Sequence, residues 1–180
     1  MKSPISKLSL KELALLIADS LSGYGISAVL TGGSCVTIYS ENKYVSKDLD
    51  FVTDTIHSKK IKAAMEDIGF ALMPEKCFKH PGCEYTVEFI PSPLSVGAEA
   101  VKKTRSIKTK RGALVLLSPT DCVKDRLAAF YHWDDRQSLE QAVLVAARQK
   151  VDLKEIKRWS LNEGFPDKFE EFAKQLKGRR

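Results

Sequence analysis

The sequence predicts an α+β protein, in which a mixed, twisted β-sheet is flanked by helices and followed by a C-terminal helical region. Short apolar runs bounded by turn residues, which are typical of strands, alternate with helical segments over the first 117 positions. From position 118 onward, apolar residues recur at helical spacing. A chain of 180 residues suits one ordinary domain. We therefore expect an α+β core over residues 1–117 and a helical region over residues 118–180, packed together as one compact unit.

The individual elements follow from caps and periodicity. Ser9 and Glu12 form a capping box that opens a helix, and Ser118 followed by Pro119 is a strong start for another. The predicted strands are residues 26–30, 48–53, 70–73, 85–90, 106–108 and 113–117, the last two forming a hairpin. The predicted helices begin after Ser9, near Cys35 and at residues 58–68, 121–132, 135–149, 152–161 and 166–177.

The charge of the chain favours an anionic partner. A net charge of +6 suits phosphate groups, which Lys and Arg neutralise. Six basic residues cluster in one stretch, which is either a surface for tRNA or another RNA or an ordinary solvated face. They are Lys102, Lys103, Arg105, Lys108, Lys110 and Arg111.

Cellular location and cysteine chemistry are judged from composition. No apolar stretch is long enough to span a membrane, and charges interrupt the N-terminal segment, so we expect no signal peptide and a cytoplasmic protein. The four cysteines should then remain reduced. Cys77, His80 and Cys83 could supply three zinc ligands, but no fourth ligand is evident, and packing is the alternative role.

Asp48 and Asp50 form the first half of a candidate active site. They are two residues apart on a predicted strand, so their carboxylates project from one face of the sheet. Two neighbouring carboxylates repel unless a cation neutralises them, and hard oxygen ligands suit Mg²⁺ or Mn²⁺. An exposed acidic pair without function is the alternative.

Gly32, Gly33 and Ser34 form the second half. This turn follows a predicted strand and precedes a helix, so its backbone amides and the Ser34 hydroxyl can donate to phosphate oxygens. A plain strand-to-helix turn is the alternative. A phosphate-binding turn followed by a metal-binding acidic pair describes a site for a metal-bound nucleoside triphosphate such as ATP.

Glu88 is the candidate for a third carboxylate, which would complete the metal site or deprotonate an attacking hydroxyl. It alternates with Val87 and Phe89, so it shares a face with the acidic pair if the two strands are neighbours. Glu84 and Asp54 are weaker candidates because both lie at the ends of predicted strands.

The three motifs together resemble the nucleotidyltransferases of the DNA polymerase beta superfamily, particularly their minimal bacterial and archaeal members. The resemblance covers about the first half of the chain. It implies that Gly33 and Ser34 hold the triphosphate, with Gly32 beside them, and that Asp48, Asp50 and Glu88 bind two divalent metal ions. The family more often has Asp at the third position.

The second half has a looser resemblance to nucleotidyltransferase toxins of the abortive-infection type. In these, a helix that carries a Lys precedes a segment with paired Arg and Asp. Lys124 matches the Lys and would bind the triphosphate, whereas Asp135 and Arg136 have the reverse order. Lys124 is alternatively half of a surface ion pair with Asp135. Tyr131, His132 and Trp133 form either a platform for a base or a packing cluster.

The sequence thus predicts a metal-dependent nucleotidyltransferase that transfers a nucleoside monophosphate to an acceptor hydroxyl. Two alternatives stay open, namely a non-catalytic basic RNA-binding module and an antitoxin-like regulatory member that acts on a protein partner. The sequence does not specify the nucleotide, the acceptor or the oligomeric state.

Overall fold

The computed structural model describes residues 5–54 and 58–179. A short 3-10 helix, Ile5–Lys7, precedes the first α-helix. The α-helices are α1 (Leu10–Gly23), α2 (Gly32–Tyr39), α3 (Ser58–Glu66), α4 (Pro119–Trp133), α5 (Arg136–Arg148), α6 (Leu153–Asn162) and α7 (Pro166–Arg179). The strands are β1 (Ala28–Thr31), β2 (Asp48–Thr53), β3 (Ala71–Leu72), β4 (Phe78–Lys79), β5 (Thr86–Pro91), β6 (Ser95–Val96), β7 (Glu99–Ala100), β8 (Thr104–Lys108) and β9 (Ala113–Leu117). The predicted α+β class is confirmed.

Seven of these strands form one mixed sheet, in the order β3-β4-β5-β2-β1-β9-β8. At its centre β1 is antiparallel to β2, while β2 is parallel to β5 and β1 is parallel to β9. Strands β6 and β7 pair with each other as a separate hairpin. The sheet therefore brings together strands from widely separated parts of the chain, which local sequence patterns do not predict.

The buried face of the central strands anchors the sheet to the core. Leu49, Phe51 and Val87 are fully buried, and the rings of Phe51 and Phe89 stack with centroids 5.8 Å apart. Because side chains alternate along a strand, the polar residues between these apolar positions lie on the opposite face. The period-two pattern of residues 48–53 is confirmed as strand β2.

The first two helices begin differently. Helix α1 has the predicted capping box, in which the Ser9 amide donates to the Glu12 carboxylate at 2.8 Å. Helix α2 begins at Gly32 rather than near Cys35, so the Gly-Gly-Ser turn is its first turn. The chain can enter the helix directly from β1 because Gly32 has a φ of +64°, a left-handed conformation that glycine adopts without steric cost.

The C-terminal helices pack on the sheet and share its core. Ser118 caps α4 as predicted, accepting a hydrogen bond from the Asp121 amide at 3.1 Å. Trp159 of α6 and Phe172 of α7 are fully buried in the same hydrophobic cluster as Phe51. The boundary between residues 117 and 118 stays a prediction, since the core runs across it.

Several short elements were not predicted. Strand β4 and the hairpin of β6 and β7 consist of two-residue strands, which are too short to show alternation. Contacts with α6 hold the hairpin, because the Trp159 indole donates to the Val96 carbonyl at 3.3 Å and Arg158 binds both carboxylate oxygens of Glu99 at 2.8 and 2.7 Å. In the described part of the chain, no helix is long and apolar enough to cross a membrane.

Candidate active site

Strand register aligns the predicted site residues. Thr31 of β1 pairs with Asp50 of β2, which in turn pairs with Glu88 of β5. Two residues earlier on β2, Asp48 pairs with Thr86 of β5, whose hydroxyl donates to the Asp48 carboxylate. Since β2 and β5 are parallel neighbours in register, Asp48, Asp50 and Glu88 lie on one face of the sheet.

The glycine turn lies directly against the acidic pair. A Cβ atom added to Gly32 would stand 2.8 Å from Oδ2 of Asp50. A Cβ atom on Gly33 would stand 3.0 Å from Oγ of Ser46, whose hydroxyl also donates to the Asp48 carbonyl at 3.1 Å. Both glycines are therefore required by close approach, and the turn and the carboxylates form a single site.

The N-terminus of α2 has no side-chain cap. Side chains cap α1, α4, α5 and α6, whereas Thr31 makes no side-chain cap at α2. The Thr31 hydroxyl instead donates to the Asp50 carbonyl at 3.3 Å. Because the first amides of a helix have no intrahelical acceptor, those of α2 remain available as donors at its positive end.

Ser34 is fully buried in the first turn of this helix. Its hydroxyl donates to the Thr31 carbonyl at 2.8 Å, so the hydroxyl proton is already engaged within the turn. The Ser34 backbone amide lies in the first turn of α2, where helix amides have no intrahelical acceptor.

Asp50 has an unusual electrostatic environment. Burial, together with the nearby Glu88 and Asp48 carboxylates, raises its pKa to about 6, while Arg126 opposes this shift. A buried carboxylate surrounded by like charges is costly to ionise, and a bound cation relieves that cost. The site is thus arranged to attract positive charge.

Arg126, rather than Lys124, is the cation beside Asp50. One terminal nitrogen of its guanidinium lies 4.0 Å from the position of a Gly32 Cβ atom, and the group binds the Asp125 carboxylate at 3.0 and 2.5 Å. Arg126 was not identified from the sequence, although it stands two residues from Lys124. The helical phase separates the two, because residues two apart on a helix point in nearly opposite directions.

Lys124 belongs to a different cluster. It is almost completely buried, and its ammonium binds Glu155 of α6 at 2.6 Å and Asp121 at 3.6 Å. The pair with Glu155 joins α4 to α6, close to the Arg158 contact with the hairpin. The predicted surface pair of Lys124 with Asp135 is wrong, because Lys124 is buried with Glu155 and Asp121 while Asp135 caps α5 through Ser138.

The described residues do not form a ready-made metal cage. Within residues 5–54 and 58–179, no three His, Cys, Asp or Glu side chains are grouped so that they could hold a metal ion. The finding holds for Asp48, Asp50 and Glu88, and equally for Cys77, His80 and Cys83. In the second group, His80 Nδ1 accepts from the Gly82 amide at 2.9 Å and its ring packs on Phe70.

The aromatic segment at the end of α4 divides into two environments. Tyr131 is buried, stacks on Trp159 and Phe165, and hydrogen-bonds Ser160 at 2.8 Å. His132 packs edge-on against Phe165. Trp133 is 76% exposed. Packing therefore accounts for Tyr131 and His132.

Comparison with solved structures identifies the fold. An antigenic nucleotidyltransferase-like protein from Paracoccidioides brasiliensis matches with a TM-score of 0.56 and 14% identity, over 80% of this chain and 77% of that chain. ANT(2″)-Ia, solved in complex with adenylyl-2″-tobramycin, matches with a TM-score of 0.57 and 10% identity, over 86% of this chain and 96% of that chain. No protein-family model and no curated protein matches the chain. The chain has a nucleotidyltransferase fold, as its motifs predicted.

The charge of Asp50 should make the metal-free protein less stable at neutral pH. The pKa of Asp50 in the folded protein, about 6, lies above the ordinary value of 3.8 for an aspartate, so stability is lost as the pH rises from about 4 to about 6. We expect Asp50→Asn to gain on the order of 1–3 kcal/mol over the wild type at pH 7.5 and much less at pH 4. Urea denaturation in metal-free buffer at both pH values measures this, and an equal gain at both would contradict the assignment.

The contact between Gly32 and Asp50 should appear as a thermodynamic coupling. Gly32→Ala and Gly25→Ala both place Ala at positive φ, +64° and +68°, but only the Gly32 site lacks room for a Cβ atom. We expect Gly25→Ala to cost about 1–2 kcal/mol and Gly32→Ala to cost more. The part of the Gly32→Ala loss that exceeds the Gly25→Ala loss should shrink when Gly32→Ala is combined with Asp50→Ala. Urea denaturation of the single and double variants tests this, and strictly additive losses would argue against the contact.

Proposed function

We propose that the protein is a metal-dependent nucleotidyltransferase, which transfers a nucleoside monophosphate from a nucleoside triphosphate to an acceptor hydroxyl. The observation that carries this proposal is the close approach of the Gly32 turn to the Asp50 carboxylate. The turn that would bind phosphate and the carboxylates that would bind the metal are thereby adjacent. The nucleotidyltransferase fold supports the same conclusion.

The triphosphate would bind at the N-terminus of α2. Because Gly32 and Gly33 have no side chains, the backbone would be able to approach phosphate oxygens closely. The uncapped amides of the first turn, including that of Ser34, would donate to these oxygens. The Ser34 hydroxyl, which binds the Thr31 carbonyl, would stabilise the turn.

Asp48, Asp50 and Glu88 are the proposed ligands for Mg²⁺ or Mn²⁺. Mg²⁺ usually binds one or two carboxylates together with waters and substrate phosphates, so a complete protein cage is not required. The donor set fits, because all three residues supply hard carboxylate oxygens from one face. When bound, the metal would neutralise phosphate charge and favour attack of the acceptor oxygen on the α-phosphate.

Two protein side chains would accept the proton and stabilise the developing negative charge. Glu88 is exposed on the site face and would accept the proton of the acceptor hydroxyl. The acceptor oxygen would form a bond to the α-phosphorus as the bond to pyrophosphate breaks. Arg126 would stabilise the negative charge that develops on the pyrophosphate, and Asp125 would position its guanidinium. Lys124, the residue suggested by resemblance, would hold α4 against α6.

Asp50 should be essential for transfer. We expect Asp50→Ala to reduce Mg²⁺-dependent incorporation of labelled nucleotide by at least about a hundredfold, because it removes a central metal ligand. Asp54→Asn is the matched control, since Asp54 lies just beyond the opposite end of β2. Incubation with each labelled triphosphate, Mg²⁺ and a mixture of RNA and cell protein provides the assay. Undiminished incorporation by Asp50→Ala would refute the proposal, and a wild type without incorporation would favour the non-catalytic alternative.

Arg126 and Lys124 should have separable roles. We expect Arg126→Ala to weaken ATP binding about tenfold or more, and Arg126→Lys to recover only part of it because a point charge replaces the bidentate group. Lys124→Met should lower the free energy of unfolding, since it breaks a buried pair with Glu155, but change ATP affinity less than about twofold. Equilibrium binding in Mg²⁺ and urea denaturation measure these effects. The roles would be reversed if Lys124→Met alone lost ATP binding.

A further inference from the structure

A group of unpaired basic residues lies along one side of the molecule, and we call it the basic edge. Its members are all exposed, and none makes an ion pair with a described residue. They are Lys102, Lys103, Arg105, Lys150 and Lys154. Strand β8, which contains Arg105, is the outermost strand of the sheet. The surface is therefore accessible along its length.

These residues are contiguous in space although they come from three elements. Lys102 and Lys103 line a depression together with Thr120 and Asp152, and Lys150 and Lys154 line an adjoining depression with the same two residues. The Arg105 guanidinium reaches the Gln149 side chain at 3.5 Å, next to Lys150 in the chain. Local sequence could not reveal this grouping, because it joins the start of β8 to the segment between α5 and α6.

The acidic residues of this region are engaged elsewhere. Glu99 and Glu155 both bind Arg158 at 2.7 Å, and Glu155 also binds Lys124. Asp152 accepts a hydrogen bond from the Glu155 amide as the N-cap of α6. Asp121, which lines the same depression, pairs with Lys124 at 3.6 Å. Asp152 is exposed and pairs with no described cation, so the five outer cations face one unpaired carboxylate and together carry excess positive charge.

The basic edge begins at the same end of the sheet as the active site. Thr104 pairs with Leu117, so Lys102 and Lys103 lie beyond the end of the sheet at which β1 runs into the Gly32 turn. Strand β8 is three strands from β2, which corresponds to about 14 Å. A short stretch of extended polymer could connect the two.

The remaining cations of the sequence-predicted stretch lie apart from this surface. Lys108 pairs with Ala113 at the opposite end of β8, about 13 Å along the strand from Thr104. Lys110 lies in the turn that follows, and Arg111 binds the Asp19 carboxylate at 3.1 Å. The residues between Lys102 and Arg111 therefore form two surfaces rather than one.

We propose that the basic edge binds the phosphate backbone of a single-stranded RNA, one hydroxyl of which is the acceptor in the active site. The identity of the acceptor rests on the proposed function, whereas the binding surface does not. A row of unpaired cations suits a polyanion and repels a polycationic small molecule. RNA is favoured over DNA because every ribose offers a 2′-hydroxyl.

Salt-dependent binding tests the surface. A labelled 15-nucleotide RNA of mixed sequence is titrated with the full-length protein at several salt concentrations, and anisotropy is measured. Five phosphate contacts predict a slope of log K against log salt of about −3.5, at about −0.7 per contact. Lys102→Glu with Lys150→Glu should weaken binding about tenfold and bring the slope to about −2. The control, Lys108→Glu with Lys110→Glu, has the same change in net charge and should alter binding less than about twofold. Equal losses in both double variants would overturn the proposal.

Transfer assays test the acceptor. With labelled triphosphate and Mg²⁺, we expect label on RNA, not on DNA of the same sequence or on an acidic peptide, and a higher KM for RNA in the Lys102→Glu, Lys150→Glu variant. Preferential labelling of DNA or peptide would overturn the assignment of RNA. Asp50→Asn separates the two proposals, because it should abolish transfer while RNA binding persists. If RNA binding does not depend on the basic edge but Asp50-dependent transfer to another acceptor occurs, the surface fails and the proposed function stands. If the wild type binds RNA through this surface but transfers nucleotide to no acceptor, the binding surface stands and the proposed function fails.

Discussion

The alignment of three strands is the constraint on which the rest of the structure depends. Antiparallel pairing of β1 with β2 and parallel pairing of β2 with β5 place Thr31, Asp50 and Glu88 in one row. A shift of one residue in either pair would turn a carboxylate toward the core, where Leu49 and Phe51 are fully buried. Apolar packing on one face therefore determines the position of the polar groups on the other, and the geometry of the site follows from the hydrophobic core.

This arrangement concentrates negative charge at a cost to the fold. Burial and two neighbouring acids disfavour ionisation of Asp50, and the guanidinium of Arg126 offsets the cost only in part. Asp125 in turn binds that guanidinium, so the compensating charge is itself partly neutralised. Such a balance lowers the stability of the folded protein, and strongly perturbed carboxylates of this kind are typical of functional sites. By contrast, the cluster around Lys124 is matched in charge, with Glu155 and Asp121 as partners, and it joins helices.

Local patterns predicted much of the fold and of the candidate site, while long-range contacts explain what they missed. The alternation of polar and apolar residues over 48–53 predicted strand β2. The same alternation around Glu88 predicted that Glu88 would share a sheet face with Asp50 if the two strands were neighbours, which they are. The start of α2 was misplaced because positive φ at Gly32 is a property of the turn, not of a helical pattern. Arg126 was missed because the structure, not the sequence, shows which side of α4 faces the sheet, and Arg126 and Lys124 lie on different sides of that helix. The basic edge joins distant segments, so proximity along the chain did not indicate it.

The hydrogen bond of the Thr31 hydroxyl has a consequence for how the fold responds to its surroundings. That hydroxyl donates to the neighbouring strand, so the first turn of α2 has no side-chain cap for its amides. A bound oxyanion would take the place of the missing cap, in the way that the hydroxyls of Ser9 and Ser118 cap α1 and α4. If a phosphate group binds there as proposed, its binding energy would add to the free energy of unfolding and so raise the thermal stability of the folded chain.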